Sequence, residues 1–264
     1  MALAFDLISD LHMETWEGDF DWSHRATSPY CVVAGDVCRD RGLLIDTLTY
    51  LGRCYQAVFY IDGNDEHFTS LANLNASYNT MAKEIEAIPN VVYLQDNVVV
   101  VDGVAFLGTN GWWGFDLDLT VDPTESAIWY QQKQSLSSDA VKRIARMSTT
   151  DANYMISSVR RLQTHPDVKK IVLVTHTVPS AKLIEHDIEL DGTYRFNQMG
   201  NSFMKHVFAQ DTEQKIHTWC FGHYHKSIDQ IDGYTRYVNN CKGRGDTPYN
   251  QYVYHPKRII VDLN

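Results

Sequence analysis

The chain has 264 residues and 44% hydrophobic content, enough to bury one large core, and α/β chains of this length commonly form a single domain. Its 33 acidic against 23 basic residues leave a formal net charge of −10. That balance argues against a broad phosphate-tracking surface of the kind non-specific nucleic-acid binding uses, although a bound metal would supply local positive charge that the formal count omits. Five scattered cysteines with no CxxC read as reduced thiols of a cytoplasmic protein, and no apolar run is long enough to span a bilayer.

The first segment, Leu3 to Ser9, reads as a buried strand interrupted by Asp6, and meets an acid too soon to be a signal peptide. It delivers Asp10-Leu11-His12, whose side chains at i and i+2 share one face of an extended segment and can reach one ion. A polar, irregular loop with Trp16, Trp22 and His24 follows, to Pro29. Cys31 to Ala34 is the second strand and ends at Gly35-Asp36; Arg41 to Tyr55 is a helix with Leu44, Leu48, Leu51 and Tyr55 at helical spacing. Ala57 to Ile61 is the third strand and ends at Gly63-Asn64. Thr69-Ser70 is predicted to cap a long helix whose apolar positions run from Leu71 through Ile88 until Pro89 stops it. This order fits a parallel or mixed sheet wrapped by helices.

Val91 to Leu94, Val98 to Val101 and Val104 to Leu107 read as strands, the last two joined by a tight Asp102-Gly103 hairpin. Trp112 and Trp113 between glycines are either core anchors or a substrate platform. Asp116 to His165 is a helical excursion: Glu125 to Met147 is helical with a break near Ser135 to Ser138, and a second amphipathic helix enters through Ser148 to Asp151. Val168 to Thr175 is a strand that delivers His176. Glu185 to Gln198 reads as a surface loop and Ser202 to Phe208 as a short helix. Ile216 to Phe221 is a strand ending at Gly222-His223-Tyr224-His225. A hairpin over Ser227 to Asn239 and a closing strand, Arg258 to Leu263, complete the chain.

Five strand ends therefore carry Asp10/His12, Asp36, Asn64, His176 and His223/His225. Each motif alone is weak; together and in this order they point to a metal site at the carboxyl ends of the strands. Mixed carboxylate, imidazole and amide ligands suit borderline divalent metals such as Mn, Fe, Zn, Co or Ni, and no thiolate is needed.

At this point the sequence resembles the calcineurin-like metallophosphoesterase superfamily. The match runs from Asp10 to the final strand, and is strongest to a bacterial and phage-like branch with an Asn-rich segment after the last histidines, here Asn239-Asn240-Cys241-Lys242-Gly243. The resemblance implies a four-layer α/β/β/α sandwich with two mixed sheets in one domain, with the excursion at about 116–165. It implies two divalent metals, manganese favoured, one held by Asp10, His12, Asp36 and His225, the other by Asp36, Asn64, His176 and His223, with Asp36 bridging. The reaction implied is in-line hydrolysis of a phosphate ester by a metal-bridging hydroxide, without a phosphoenzyme.

The third motif departs from the family. Where relatives place a His after the Asn, to contact the phosphate and protonate the leaving group, this chain has Asp65 in Gly63-Asn64-Asp65-Glu66-His67. Three expectations follow: His67 takes over as the acid; the leaving group is good enough to need none, as in cyclic or activated diesters; or catalysis is weak while metal binding persists. Thr177 stands where many relatives have a second His. The expected function is a phosphodiesterase on a small or nucleotide-type substrate. Nuclease, monoester or protein phosphatase, and a metal-binding protein without turnover are the alternatives.

Overall fold

A computed structural model describes residues 2–18, 20–118, 120–190, 192–244 and 253–263. One sheet has the order β11-β1-β2-β3-β4, with β1 Ala2–Ile8, β2 Tyr30–Ala34, β3 Ala57–Ile61, β4 Val91–Tyr93 and β11 Lys257–Asp262. The strands are parallel except β11, which runs antiparallel to β1. The second sheet has the order β5-β6-β7-β8-β10-β9, with β5 Asn97–Val101, β6 Val104–Thr109, β7 Lys170–Thr175, β8 Ile216–Phe221, β9 Ile228–Asp232 and β10 Thr235–Asn239. Here β6, β7, β8 and β10 are parallel, and antiparallel β5 and β9 close the edges.

The continuous apolar runs of the central strands follow from burial on both faces. In β2, Val32 and Ala34 join the core between the sheets, while Cys31 and Val33 face the helices. In β7, Val172 and Val174 face inward and Ile171 and Leu173 face the outer helical layer. Phe106 ties the inner layers together, stacked on Phe59 at 4.4 Å and edge-on to Phe5 at 5.4 Å. Helix α1 (Arg41–Cys54), capped by Asp40, and α2 (Leu74–Glu86) cover the first sheet, and α4 (Ser138–Gln163) covers the second. The result is a helix/sheet/sheet/helix stack of four layers with two mixed sheets. No helix among the described residues is long and apolar enough to cross a membrane.

Two helix boundaries differ from expectation. The single helix predicted from Leu71 is a 3₁₀ segment, Asp65–Asn73, followed by α2. The excursion forms α3 (Pro123–Lys133) and α4, separated near Ser135–Ser137 as expected, but α4 is unbroken through Ser148–Asp151. There Ser148 and Thr150 turn their hydroxyls back onto the carbonyls of Ala145 and Arg146, so they do not cap. A separate apolar cluster of Leu71, Leu74, Trp112, Trp113, Phe115 and Tyr130 packs α3 and the start of α4 beside the site.

Candidate metal centre

The carboxyl ends of β1, β2, β3, β7 and β8 meet at one end of the stack, and backbone hydrogen bonds stitch their loops together. Asp10 N donates to Gly35 O, His12 N to Asp36 O, Gly222 N to His176 O and His176 N to Asn110 O, all at 2.8–3.1 Å. Asn240 donates to Leu7 O at 2.8 Å and Asn239 to Gly222 O at 3.3 Å, so the Asn-rich segment fixes two of these loops.

The converging side chains form two groups. Ligand atoms of Asp10, His12, Asp36 and His225 lie within 4.8 Å of one another, as do those of Asp36, His176 and His223. Asp36 belongs to both: Oδ1 is 3.3 Å from His176 Nε2 and Oδ2 is 3.9 Å from His12 Nε2. Asn64 Oδ1 joins the second group, 3.2 Å from His176 Nε2. The structure thus brings together all seven residues expected as ligands.

Their backbones are unusual. Asp10, His12, Asp36, His223 and His225 all have φ between 43° and 66°. For a non-glycine residue that conformation costs on the order of 1 kcal/mol each, and such strain collects where a site over-determines it. Room is also reserved by glycine: a Cβ at Gly63 would overlap Asp36, and one at Gly222 would lie 2.5 Å from Asp10 Oδ2.

Three of the four imidazoles have a contact at the other ring nitrogen that orients them. His176 Nδ1 lies 2.9 Å from Ala34 O, which leaves Nε2 as the lone-pair nitrogen toward Asp36. His223 Nε2 is 3.1 Å from Gln198 O, which leaves Nδ1 for the cluster, and its ring stacks on Trp113 at 5.4 Å. His12 Nδ1 faces Asp65 and Glu14, each at 3.4 Å. Its Nε2 then points at His225 Nε2, 3.1 Å away. Two imidazole nitrogens at that separation share either a proton or a cation, and with the Asp10 and Asp36 carboxylates beside them the donor set fits a divalent metal. The surrounding carboxylates also favour positive charge within the cluster. Burial alone would lower His12 and His176, but the surrounding carboxylates (Asp65 and Glu14 first for His12, Asp36 first for His176) raise each to about 10.

Glu66 stands in the departing Asn64-Asp65-Glu66-His67 motif, where the residue pattern assigned it no role of its own. Its two carboxylate oxygens accept four backbone N–H groups: Val37 at 2.6 Å, Gly63 at 2.7 Å, Asp36 at 3.2 Å and Cys38 at 3.4 Å. Burial and the Asp36 charge push this carboxyl up, but four donors leave neither oxygen free to carry a proton, so the geometry holds the ionised form. Glu66 staples the second and third loops to each other.

Asp65 faces the cleft at the mouth of the cluster. Arg39 donates to it at 3.0 Å and Arg244 at 2.6 Å. Burial would raise its carboxyl, but His12, Arg39 and Arg244 outweigh burial and hold it well below the usual carboxylate range. His67, by contrast, is fully buried beneath the loop and does not line the cleft. Its Nε2 is 2.8 Å from Asp62 Oδ2 and its Nδ1 is 2.8 Å from Ser77 Oγ, while Asp62 also accepts from Tyr93 and Asn110. The 3₁₀ turn over Asp65–Asn73 rotates His67 away from the neighbouring ligands. The tryptophan pair is buried as well. Trp112 donates to Tyr78 OH at 2.7 Å, and Trp113 backs His223, so neither forms an open platform. Thr177 is buried and donates to Gly111 O.

The cleft beside the cluster has a volume of ≈ 1070 Å³, and Asp36, Asn64, Asp65, His223 and His225 lie along its wall.

No protein-family profile and no curated protein matches the chain. Among solved structures, phosphopantetheinyl hydrolase (PptH) from Mycobacterium tuberculosis aligns with a TM-score of 0.74 at 16% identity, over 97% of this chain and 95% of that one. A putative 5′-nucleotidase from Staphylococcus aureus, in complex with alpha-ketoglutarate, aligns with a TM-score of 0.53 at 13% identity, over 100% of this chain but 51% of that one. GAP50, the anchor in the inner membrane complex of Plasmodium, aligns with a TM-score of 0.53 at 10% identity, over 98% and 81%. Likeness at these identities is a likeness of fold.

Proposed function

We propose that this chain, built on the calcineurin-like metallophosphoesterase fold, is a metal-dependent phosphoesterase acting on a small or nucleotide-type phosphodiester. Asp10, His12, Asp36 and His225 would hold one divalent ion, and Asp36, Asn64, His176 and His223 a second, manganese favoured. When bound, such a pair supplies a hydroxide nucleophile at neutral pH and polarises the phosphoryl oxygens.

The observation that carries the diester reading is the ion pairing of Asp65. A carboxylate held ionised by two arginines has no proton to give, and His67 is engaged elsewhere. The leaving group must then depart as a weak base, as from a cyclic or activated diester. Arg39 and Arg244 bring two guanidiniums beside the metal position, where negative charge grows on the phosphoryl oxygens. The full-length alignment with a phosphopantetheinyl hydrolase supports a small phosphoester over a nucleic acid, as does the net charge of −10. Five free cysteines support a reducing, cytoplasmic setting.

The test pairs bis(4-nitrophenyl) phosphate with 4-nitrophenyl phosphate on the manganese-loaded protein, with plasmid nicking alongside. The expected result is a kcat/KM at least tenfold higher for the diester and no nicking. A monoester preference would remove the diester reading, and nicking would favour the nuclease. No turnover with any of Mn, Fe, Zn, Co or Ni would remove the phosphoesterase reading itself.

A further inference from the structure

From the metal cluster, where Gln198 O meets His223 Nε2, the cleft continues to α3 and to the residue before the 3₁₀ turn at Phe196–Gln198, and there it is lined by Trp129, Tyr130, Lys133, Gln134 and Arg195. Five cations line the whole cleft: Arg39, Lys133, Arg195, Lys226 and Arg244. Three have carboxylate partners. Arg39 and Arg244 hold Asp65, and Lys226 holds Asp187 at 2.7 Å and Glu189 at 3.2 Å. Lys133 and Arg195 have none among the described residues. Lys133 is instead held over the Trp129 ring, Nζ 4.5 Å from its centroid, and Trp129 is itself braced by Tyr194 at 6.2 Å. In a chain of net charge −10, this end of one cleft thus carries two cations with no carboxylate partner among the described residues, one of them aimed by an aromatic ring.

We propose that this outer end is a subsite for a second anionic group on the substrate, a phosphate or carboxylate at the far end of the organic arm, bound by Lys133 and Arg195. The inference rests on the phosphoesterase reading for the anion at the metal cluster, and it narrows the substrate class to phosphoesters with two separated negative groups. Trp129 is a positioning residue that fixes Lys133 and supplies an apolar wall for the arm between the two ends.

Calorimetric titration of the manganese-loaded protein tests this without turnover. The probes are the monophosphates and bisphosphates of linear diols from ethane-1,2-diol to hexane-1,6-diol, with ω-carboxyalkyl phosphates as a third arm. For at least one chain length the bisphosphate should bind tenfold or more tightly than its monophosphate, which is about 1.4 kcal/mol. The carboxylate arm shows which anion is preferred. In Lys133→Ala/Arg195→Ala that ratio should fall to within twofold, and Lys133→Arg should restore part of it. Both residues are exposed on the surface, so folding is not at risk. A ratio near one at every length in the wild type overturns the proposal. So does a ratio that survives in the double variant or is lost only in Arg39→Ala/Arg244→Ala. If no phosphoester is turned over, the reading of the metal site fails by itself, while the affinity ratio still decides the subsite.

Discussion

Arg244 reaches across 179 positions of sequence to donate to Asp65 at 2.6 Å, and so ties the segment after the last histidines to the third metal loop. Arg39, laid over the Phe68 ring at 4.3 Å, holds the other carboxylate oxygen. The same carboxylate approaches His12 Nδ1. Asp65 is thus a fixed negative charge that faces a candidate ligand and gathers two cations.

That arrangement makes Asp65 part of the proposed metal site. A carboxylate behind a ligating imidazole fixes its tautomer and raises its basicity, and removing it typically costs about 10- to 100-fold in metal affinity or activity. Asp65→Asn is therefore expected to weaken metal binding by that order at neutral pH, measured by titrating the metal-free protein with manganese. Glu14 also lies 3.4 Å from His12 Nδ1 but is far more exposed, so Glu14→Gln should cost less. Equal affinities for wild type and Asp65→Asn would remove this role.

Glu66→Gln keeps the shape of the side chain but turns one acceptor oxygen into a donor facing backbone N–H groups. With four such donors converging, at least one is left unpaired, at a cost of about 1–3 kcal/mol. In a chain of this size that lowers the melting midpoint by about 2–4 °C per kcal/mol. Calorimetry of the metal-free protein reads this directly, and a variant that melts with the wild type would show that the staple contributes little.

Trp113 lies face to face with the His223 imidazole, interplanar angle 19°. Trp113→Phe keeps a ring in the surrounding cluster but shortens the surface that fixes His223. The expected effect is about tenfold weaker binding at the Asp36/Asn64/His176/His223 position and little change at the Asp10/His12/His225 position. A two-site titration with zinc separates the two. Equal weakening at both would mean that the tryptophan acts on the loops as a whole.

How much of this was legible in the chain depends on range. The candidate ligands were legible because each sits within a few residues of a strand end, where a continuous apolar run followed by Gly, Ser or Thr marks the spot; β2 into Asp36 and β3 into Asn64 are the clearest cases. The partners that tune them were not, since Arg244 with Asp65 and Trp113 with His223 are pairings that only tertiary packing creates. His67 shows a local limit. Its adjacency to Asn64 suggested a share in the chemistry, but the 3₁₀ turn, invisible in an apolar pattern that also suits an α-helix, aims it at Asp62 instead. In α4 the cluster Ser148 to Asp151 looked like a start because its residues favour caps; the surrounding amphipathic helix overrode that preference.

Asp151 carries the last prediction, on pH. It is fully buried on α4, and its Oδ2 accepts from Gly111 N at 2.8 Å and Trp112 N at 3.0 Å, while Oδ1 has no partner among the described residues. Burial first, and the charge of Asp96 second, push its carboxyl up to about 8, against the pull of Thr109 and the two backbone donors. An unfolded chain releases that proton near 3.8, so between about 4 and 8 the folded state binds more protons than the unfolded one. The contribution is fully present below the unfolded value and is lost as pH rises toward about 8, with a limiting slope of about 1.4 kcal/mol per pH unit. Asp151→Asn keeps an oxygen for the two backbone donors and cannot ionise. Its stability, measured by urea unfolding from pH 5 to 9, should therefore gain steadily on the wild type as pH rises and level off above about 8. Parallel curves across that range would mean that Asp151 is already ionised in the folded protein and that its unpartnered oxygen is satisfied by water.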